Sequence, residues 1–226
     1  MQIKHIFFDL DHTLWDFETN SDKAFETAFK NLQFKVDLEK FLNYYRPINQ
    51  TYWKLYREDK VTKDQLRHGR LRDTFARINI ETTTETLENI ALEYIRVLPQ
   101  NNQLFDGAIE ILDHLVPNYQ MHIITNGFHE VQHHKLEKSG IAKYFKEIIT
   151  SESVGAQKPS RAIFEHALQK VNTTAPQSIM IGDNYEADIM GALNCGMHAI
   201  FCNYHREPVG ENIKSVTHLL ELKQYL

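Results

Sequence analysis

Residues 7–16 read FFDLDHTLWD, so Asp9 and Asp11 follow an apolar run with one residue between them. Carboxylates at the end of a buried segment repel each other and lose hydration. That cost points to chemistry. One carboxylate can attack phosphorus and form an aspartyl-phosphate. An acid two residues along can protonate the leaving oxygen and then take a proton from the attacking water. Thr125 and Asn126, Lys158, Asp183 and Asp188 supply matching groups further along the chain. Several carboxylates converging on one spot call for a hard dication, and Mg²⁺ suits a site of few carboxylates, water and a phosphate. Mg²⁺ and Lys158 would neutralise the charge that keeps a carboxylate away from a phosphate dianion. Thr125, the backbone amide near Asn126, and Lys158 are expected to hold the remaining phosphate oxygens.

These groups need a scaffold that brings them together. IKHIFFD (3–9), MHIIT (121–125), FKEIIT (145–150), SIMIGD (178–183) and HAIFCN (198–203) read as strands. Between and after them, 128–140, 160–171 and 185–196 read as helices, closed by Gly140 and Gly196 or opened by Ser160, and VTHLLELKQYL as a last helix. Such alternation predicts a Rossmann-like, doubly wound parallel sheet, with ligands beyond the carboxyl ends of its strands. Asp9, Thr125 and Asp183 fall at strand ends. Residues 17–97 carry no strand signal and read as an all-helical cap inserted in the α/β core, which then comprises 1–16 and 98–226. Tyr45, Tyr52 and Tyr56 recur there at near-helical spacing, which favours the insert's own core over a base-stacking platform.

Composition narrows the partners. The 226 residues carry a net charge of −5, with no basic excess for a nucleic-acid polymer. No apolar run reaches the ~18–20 residues that span a bilayer. The first residues enter a strand without a signal-peptide pattern, and Cys195 and Cys202 have no metal-ligand spacing. A cytoplasmic protein with reduced thiols, a monomer or weak homo-oligomer, is expected.

DLDHTL, ITNG, AQKP and GDNYEAD together resemble the four motifs of the haloacid dehalogenase-like hydrolase superfamily, in order and along the whole chain. The resemblance implies Asp9 as nucleophile, Asp11 as acid and base, Thr125 and Lys158 on phosphate, Asp183 as metal ligand and Asp188 supporting it. With the strand-end clustering, the metal ligands expected are the carboxylates of Asp9 and Asp183 and the carbonyl of Asp11. His12 departs from the glycine of many members, with little effect expected. Dehalogenases of the superfamily lack the second aspartate, so Asp11 points to phosphate chemistry. QLRHGR, SESVG and NYHREP further resemble a subgroup of nucleoside 5′-monophosphatases acting on pyrimidine and non-standard nucleotides. A small phosphate ester is the implied substrate; sugar-phosphate phosphatases and phosphomutases share the core.

Two other readings compete. HEVQH (129–133) has the spacing of a helical zinc-peptidase motif. Its helix must bury Val131 and Leu136, and it presents no clear third ligand, so a chance match among twelve histidines is favoured. A non-enzymatic phospho-acceptor domain would use similar groups, but places its acceptor aspartate after a later strand and has no helical insert. RHGRLR (67–72) is a solvated basic face or a surface for an anionic substrate, the former favoured for each arginine.

Overall fold

The computed structural model describes residues 2–210 and 212–226. The chain divides into two compact units: residues up to Phe17 with Asn102–Leu226, and Glu18–Asn101.

The first unit is built on six parallel strands: β1 His5–Phe8, β2 Gln120–Thr125, β3 Phe145–Thr150, β4 Ser178–Gly182, β5 His198–Cys202 and β6 Ser215–Val216. Their order, β3-β2-β1-β4-β5-β6, is that of a Rossmann-like sheet. β1 lies between β2 and β4, with Phe8 opposite Ile123 and Ile181. All four residues of β1 are buried, as its unbroken apolar run requires. The chain leaves β1 for the insert and returns through β2 on one side; β4 lies on the other. The crevice beyond the carboxyl ends of β1 and β4 is therefore a topological switch point.

The helices that follow are α5 Ala108–Leu115, α6 His129–Lys138, the short α7 Ser151–Val154, α8 Arg161–Lys170 and the short α9 Gly191–Asn194. Phe7, Ile124, Ile149 and Met180 of the sheet form one buried cluster with Ile163, Phe164 and Ala167 of α8 and Ala192 of α9. Ser160 caps α8 as expected, accepting from Ala162 N. Gly140 and Gly196 stand at φ +73° and +78°, which favours glycine.

Three segments differ from expectation. The final segment is not one helix. Val216 pairs with Cys202 in β6, and a 3₁₀ helix, Leu219–Gln224, follows behind a His218 side-chain cap. Residues 185–196 are not continuous α-helix either: Tyr185–Met190 form a π-helical turn before α9. Asn184 caps that turn, and the Asp188 carboxylate accepts from Asn184 N at 2.9 Å. Helix α5, whose Ile111, Leu112 and Leu115 are buried, is an element the strand-centred reading passed over.

The second unit is helical: most of α1 Phe17–Asn31, then α2 Leu38–Arg57, α3 Lys63–Arg77 and α4 Thr84–Val97. Side chains of Asp37, Thr62 and Thr83 cap the last three, Thr62 and Gln65 as a reciprocal capping box. Its core is aromatic, with Phe25 against Phe41, Tyr45 and Tyr94 at 4.2–5.0 Å between ring centroids. Tyr45 therefore belongs to the core, while Tyr52 donates to Asp73 at 2.7 Å. Arg70 of RHGRLR is buried, donating to Asn49 and facing the Tyr45 and Tyr94 rings.

Candidate active site

The switch point collects acids and one lysine. Asp9 leaves the end of β1, its backbone N–H still donating to Ile181 O of β4. Asp183 follows β4 directly, and Asp188 sits in the π-helical turn. Carboxylate oxygens of Asp9, Asp183 and Asp188 lie within 4.8 Å of one another. Gly182 makes room: a Cβ there would collide with the Asp188 carboxylate.

Lys158 reaches this group from the loop before α8, across a cis Lys158–Pro159 peptide. Its Nζ is 2.6 Å from Asp9 Oδ1, 2.6 Å from Asp188 Oδ1, and donates to Ile124 O at 2.7 Å. With 2 % of its surface exposed, it is fully committed as a point charge. Asn126 clamps its main chain, Oδ1 accepting from Lys158 N and Nδ2 donating to Lys158 O, both at 2.9 Å. The Asn126 side chain is thus a bracket for the lysine, and only its main chain could serve a phosphate. Thr125, buried at the end of β2, accepts from Gly127 N at 3.0 Å and keeps its hydroxyl proton to donate.

Three carboxylates facing one ammonium leave two negative charges in excess. Burial, then the neighbouring Asp188 and Asp183, holds Asp9 well above the ordinary carboxylate range against the pull of Lys158. Burial and Asp188 push Asp183 up to about 7, although Thr13 Oγ1 donates to it at 3.0 Å. Burial disfavours the Lys158 charge, but Asp188 and Asp9 outweigh it and raise its pKa. A divalent cation would offset that excess, and the donor set fits a hard ion with oxygen ligands. Both Asp188 oxygens already face partners, Lys158 Nζ and Asn184 N. Asp9 and Asp183 are the better placed to hold the ion, with Asp188 behind them.

Asp11 is near in sequence and different in surroundings. Its Oδ1 pairs with Lys135 Nζ at 2.6 Å and its Oδ2 accepts from Gln132 Nε2 at 3.1 Å, both residues on α6. Thr13, Gln132 and Lys135 were not anticipated from sequence. Gln132 and Lys135 are polar residues on the buried face of α6, beside Val131 and Leu136, and that misplacement was the available signal. At HEVQH, His129 Nδ1 lies 3.0 Å from Thr150 Oγ1. Among the described residues, Asp9, Asp183 and Asp188 form the only group of acids, histidines or cysteines close enough to hold a metal.

Comparison with known proteins shows the family. Residues 6–202 match the family model described as haloacid dehalogenase-like hydrolase. The chain belongs to that family. Pyrimidine 5′-nucleotidase YjjG of Escherichia coli (strain K12) is 34% identical over 98% of this chain and 96% of its own. Pyrimidine 5′-nucleotidase PynA of Streptococcus pneumoniae (strain ATCC BAA-255 / R6) is 33% identical over 91% of this chain and 86% of its own. Among solved structures, the putative HAD-hydrolase YfnB of Bacillus subtilis, bound to magnesium, superposes with a TM-score of 0.90 at 26% identity, covering 100% of this chain and 99% of that one. Within the haloacid dehalogenase-like hydrolases this chain is a phosphoric monoester hydrolase. No helix among the described residues is long and apolar enough to cross a membrane.

Proposed function

We propose that this hydrolase releases phosphate from nucleoside 5′-monophosphates, with Mg²⁺ and through an aspartyl-phosphate on Asp9. The acidic group of Asp9, Asp183 and Asp188 around the single ammonium of Lys158 carries this reading. Bound between Asp9 and Asp183, Mg²⁺ would supply the positive charge that an approaching phosphate needs. The chain does the rest. Lys158 orients the Asp9 carboxylate through Oδ1 and offsets its charge. Thr125 Oγ1 and the main chain at Asn126 offer donors to the phosphate oxygens. Asp9 attacks phosphorus as the P–O bond to the leaving group breaks, and Asp11 gives that oxygen a proton. Water then attacks the acyl phosphate while Asp11 takes the proton back, and phosphate leaves with Asp9 restored.

The nucleotide preference rests on the names of the two relatives and on their identity over most of the chain. We assign the choice of leaving group to the helical cap of residues 17–97. Substitutions there should reorder substrates while sparing p-nitrophenyl phosphate; equal loss on all substrates would reject that assignment. The free thiols Cys195 and Cys202 suit the reducing cytoplasm. A phosphate-release screen over nucleoside monophosphates and sugar phosphates, with Mg²⁺ and with chelator, tests the proposal. Pyrimidine 5′-monophosphates should lead, and chelator should abolish release. A screen led by sugar phosphates would move the substrate class; chelator-resistant turnover would reject the Mg²⁺ mechanism.

A further inference from the structure

We infer that Lys135, together with Gln132, is a positioning residue that holds the Asp11 carboxylate in the orientation its proton transfers require. The inference rests on the phosphatase reading above and adds to it two residues of α6.

Lys135 is only 2 % exposed, on a helix face that otherwise packs Val131 and Leu136. Burying an ammonium is expensive unless it is paired, and a packed apolar side chain would serve the core as well or better. Here the charge is held at both ends. Nζ is 2.6 Å from Asp11 Oδ1, and it lies 4.3 Å from the centre of the Trp15 ring and 5.3 Å from that of Phe17. Aromatic faces stabilise a desolvated cation. Gln132, one turn earlier on the same face, donates to the other oxygen, Asp11 Oδ2, at 3.1 Å. Gly127 permits that reach, because a Cβ on it would collide with the Gln132 amide.

Each Asp11 oxygen thus receives one N–H from α6. A carboxylate has about four lone-pair sites, so this fork fixes the plane of the group and leaves acceptor capacity on each oxygen. Asp11 needs that freedom to give its proton to the leaving oxygen as the P–O bond breaks, and to accept one from water as the acyl phosphate is hydrolysed. Lys135 touches neither substrate nor phosphorus; it acts through Asp11.

The test combines Lys135→Met, Lys135→Arg and Asp11→Asn, alone and paired, on p-nitrophenyl phosphate and on a nucleoside 5′-monophosphate. The first has a good leaving group and needs little protonation. With the nucleotide, Lys135→Met should lower kcat by roughly 10²-fold, the scale of a misplaced catalytic group, with little change in KM. Phosphoenzyme formation from p-nitrophenyl phosphate should stay near wild type. Lys135→Arg, which keeps the charge, should recover most of the loss. In the Asp11→Asn background Lys135→Met should cost less than about twofold, because the partner it positions is already disabled. A loss in the rate of phosphoenzyme formation that is equal on both substrates, or a loss in kcat that adds in full to Asp11→Asn, assigns Lys135 to packing alone and overturns the inference. Should Lys135→Met fail to fold, Gln132→Leu carries the same contrast between substrates, and its absence there overturns the inference too. If wild type releases phosphate and Asp11→Asn is impaired, such additivity rejects only the role of Lys135. If wild type releases phosphate from neither ester, the phosphatase reading fails and takes this inference with it.

Discussion

The pockets around Asp9 and Asp11 begin two residues apart and differ in charge balance. Around Asp9, two further carboxylates share one ammonium, and burial drives Asp9 and Asp183 toward their protonated forms. Around Asp11, one carboxylate meets one ammonium and one amide, with Trp15 and Phe17 closing over the lysine. The first pocket carries an excess of negative charge that a cation would offset; the second is balanced within the chain. Environment rather than residue type would separate the two aspartates into the two roles proposed for them, as it does wherever paired carboxylates divide acid and nucleophile.

The comparison breaks most sharply at Asp9. Asp9→Asn cannot form an acyl phosphate, so steady turnover of p-nitrophenyl phosphate should fall to background. Retained turnover would remove Asp9 from the reaction. Asp11→Asn keeps the nucleophile and loses the exchangeable proton, which should cost ~10²–10⁴-fold in kcat. A rate close to wild type would dissolve the distinction between the pockets.

A smaller effect lies in stability. The raised pKa of Asp183, about 7, means that the folded protein without metal keeps a proton that the unfolded chain releases near pH 4. Stability from this group is fully present below that lower value and is lost as pH climbs toward about 7. Asp9 shifts in the same direction. A bound metal would replace those protons. The gain in Tm on adding Mg²⁺ should therefore be larger near pH 8 than near pH 5, and an equal gain at both would contradict the charge imbalance drawn for the first pocket.

The smallest expected effect concerns the turn that follows Asp11. His12 stands at φ 62°, the left-handed region that favours glycine. It also packs against Phe17, 4.9 Å between ring centres. His12→Val should be destabilised relative to His12→Gly by ~1–2 kcal/mol, measured by urea unfolding. Equal stability of the two variants would mean that the turn relaxes without strain.

Much of this is legible in the residues alone. Asp9, Thr125 and Asp183 end apolar strand runs, and strand ends in a parallel sheet face one crevice, so their convergence follows from periodicity and topology. Lys158 reads as the cation that the 145–150 strand leads into, and the AQKP motif supports it, although its loop carries no periodic signal. Less legible were contacts set by tertiary packing. Thr13 looks like a turn residue, and nothing local says that its hydroxyl reaches Asp183, 170 positions away. For Asn126 only the backbone amide reads as a phosphate donor, and nothing local says that its side chain brackets Lys158 at both ends. The closing VTHLLELKQYL has helical spacing, but pairing of Val216 with Cys202 wins over it. Local propensity yields to a sheet edge that needs a partner.

The most direct test of the account is a rapid acid quench of Asp11→Asn with labelled p-nitrophenyl phosphate and Mg²⁺, followed by mapping of the labelled peptide. The good leaving group lets the first step proceed without a proton donor, while hydrolysis of the acyl phosphate lacks its base. Label should accumulate on Asp9, and the doubly substituted Asp9→Asn, Asp11→Asn protein should trap none. Label on any other residue, or none trapped while the variant still turns over slowly, would contradict Asp9 as the nucleophile.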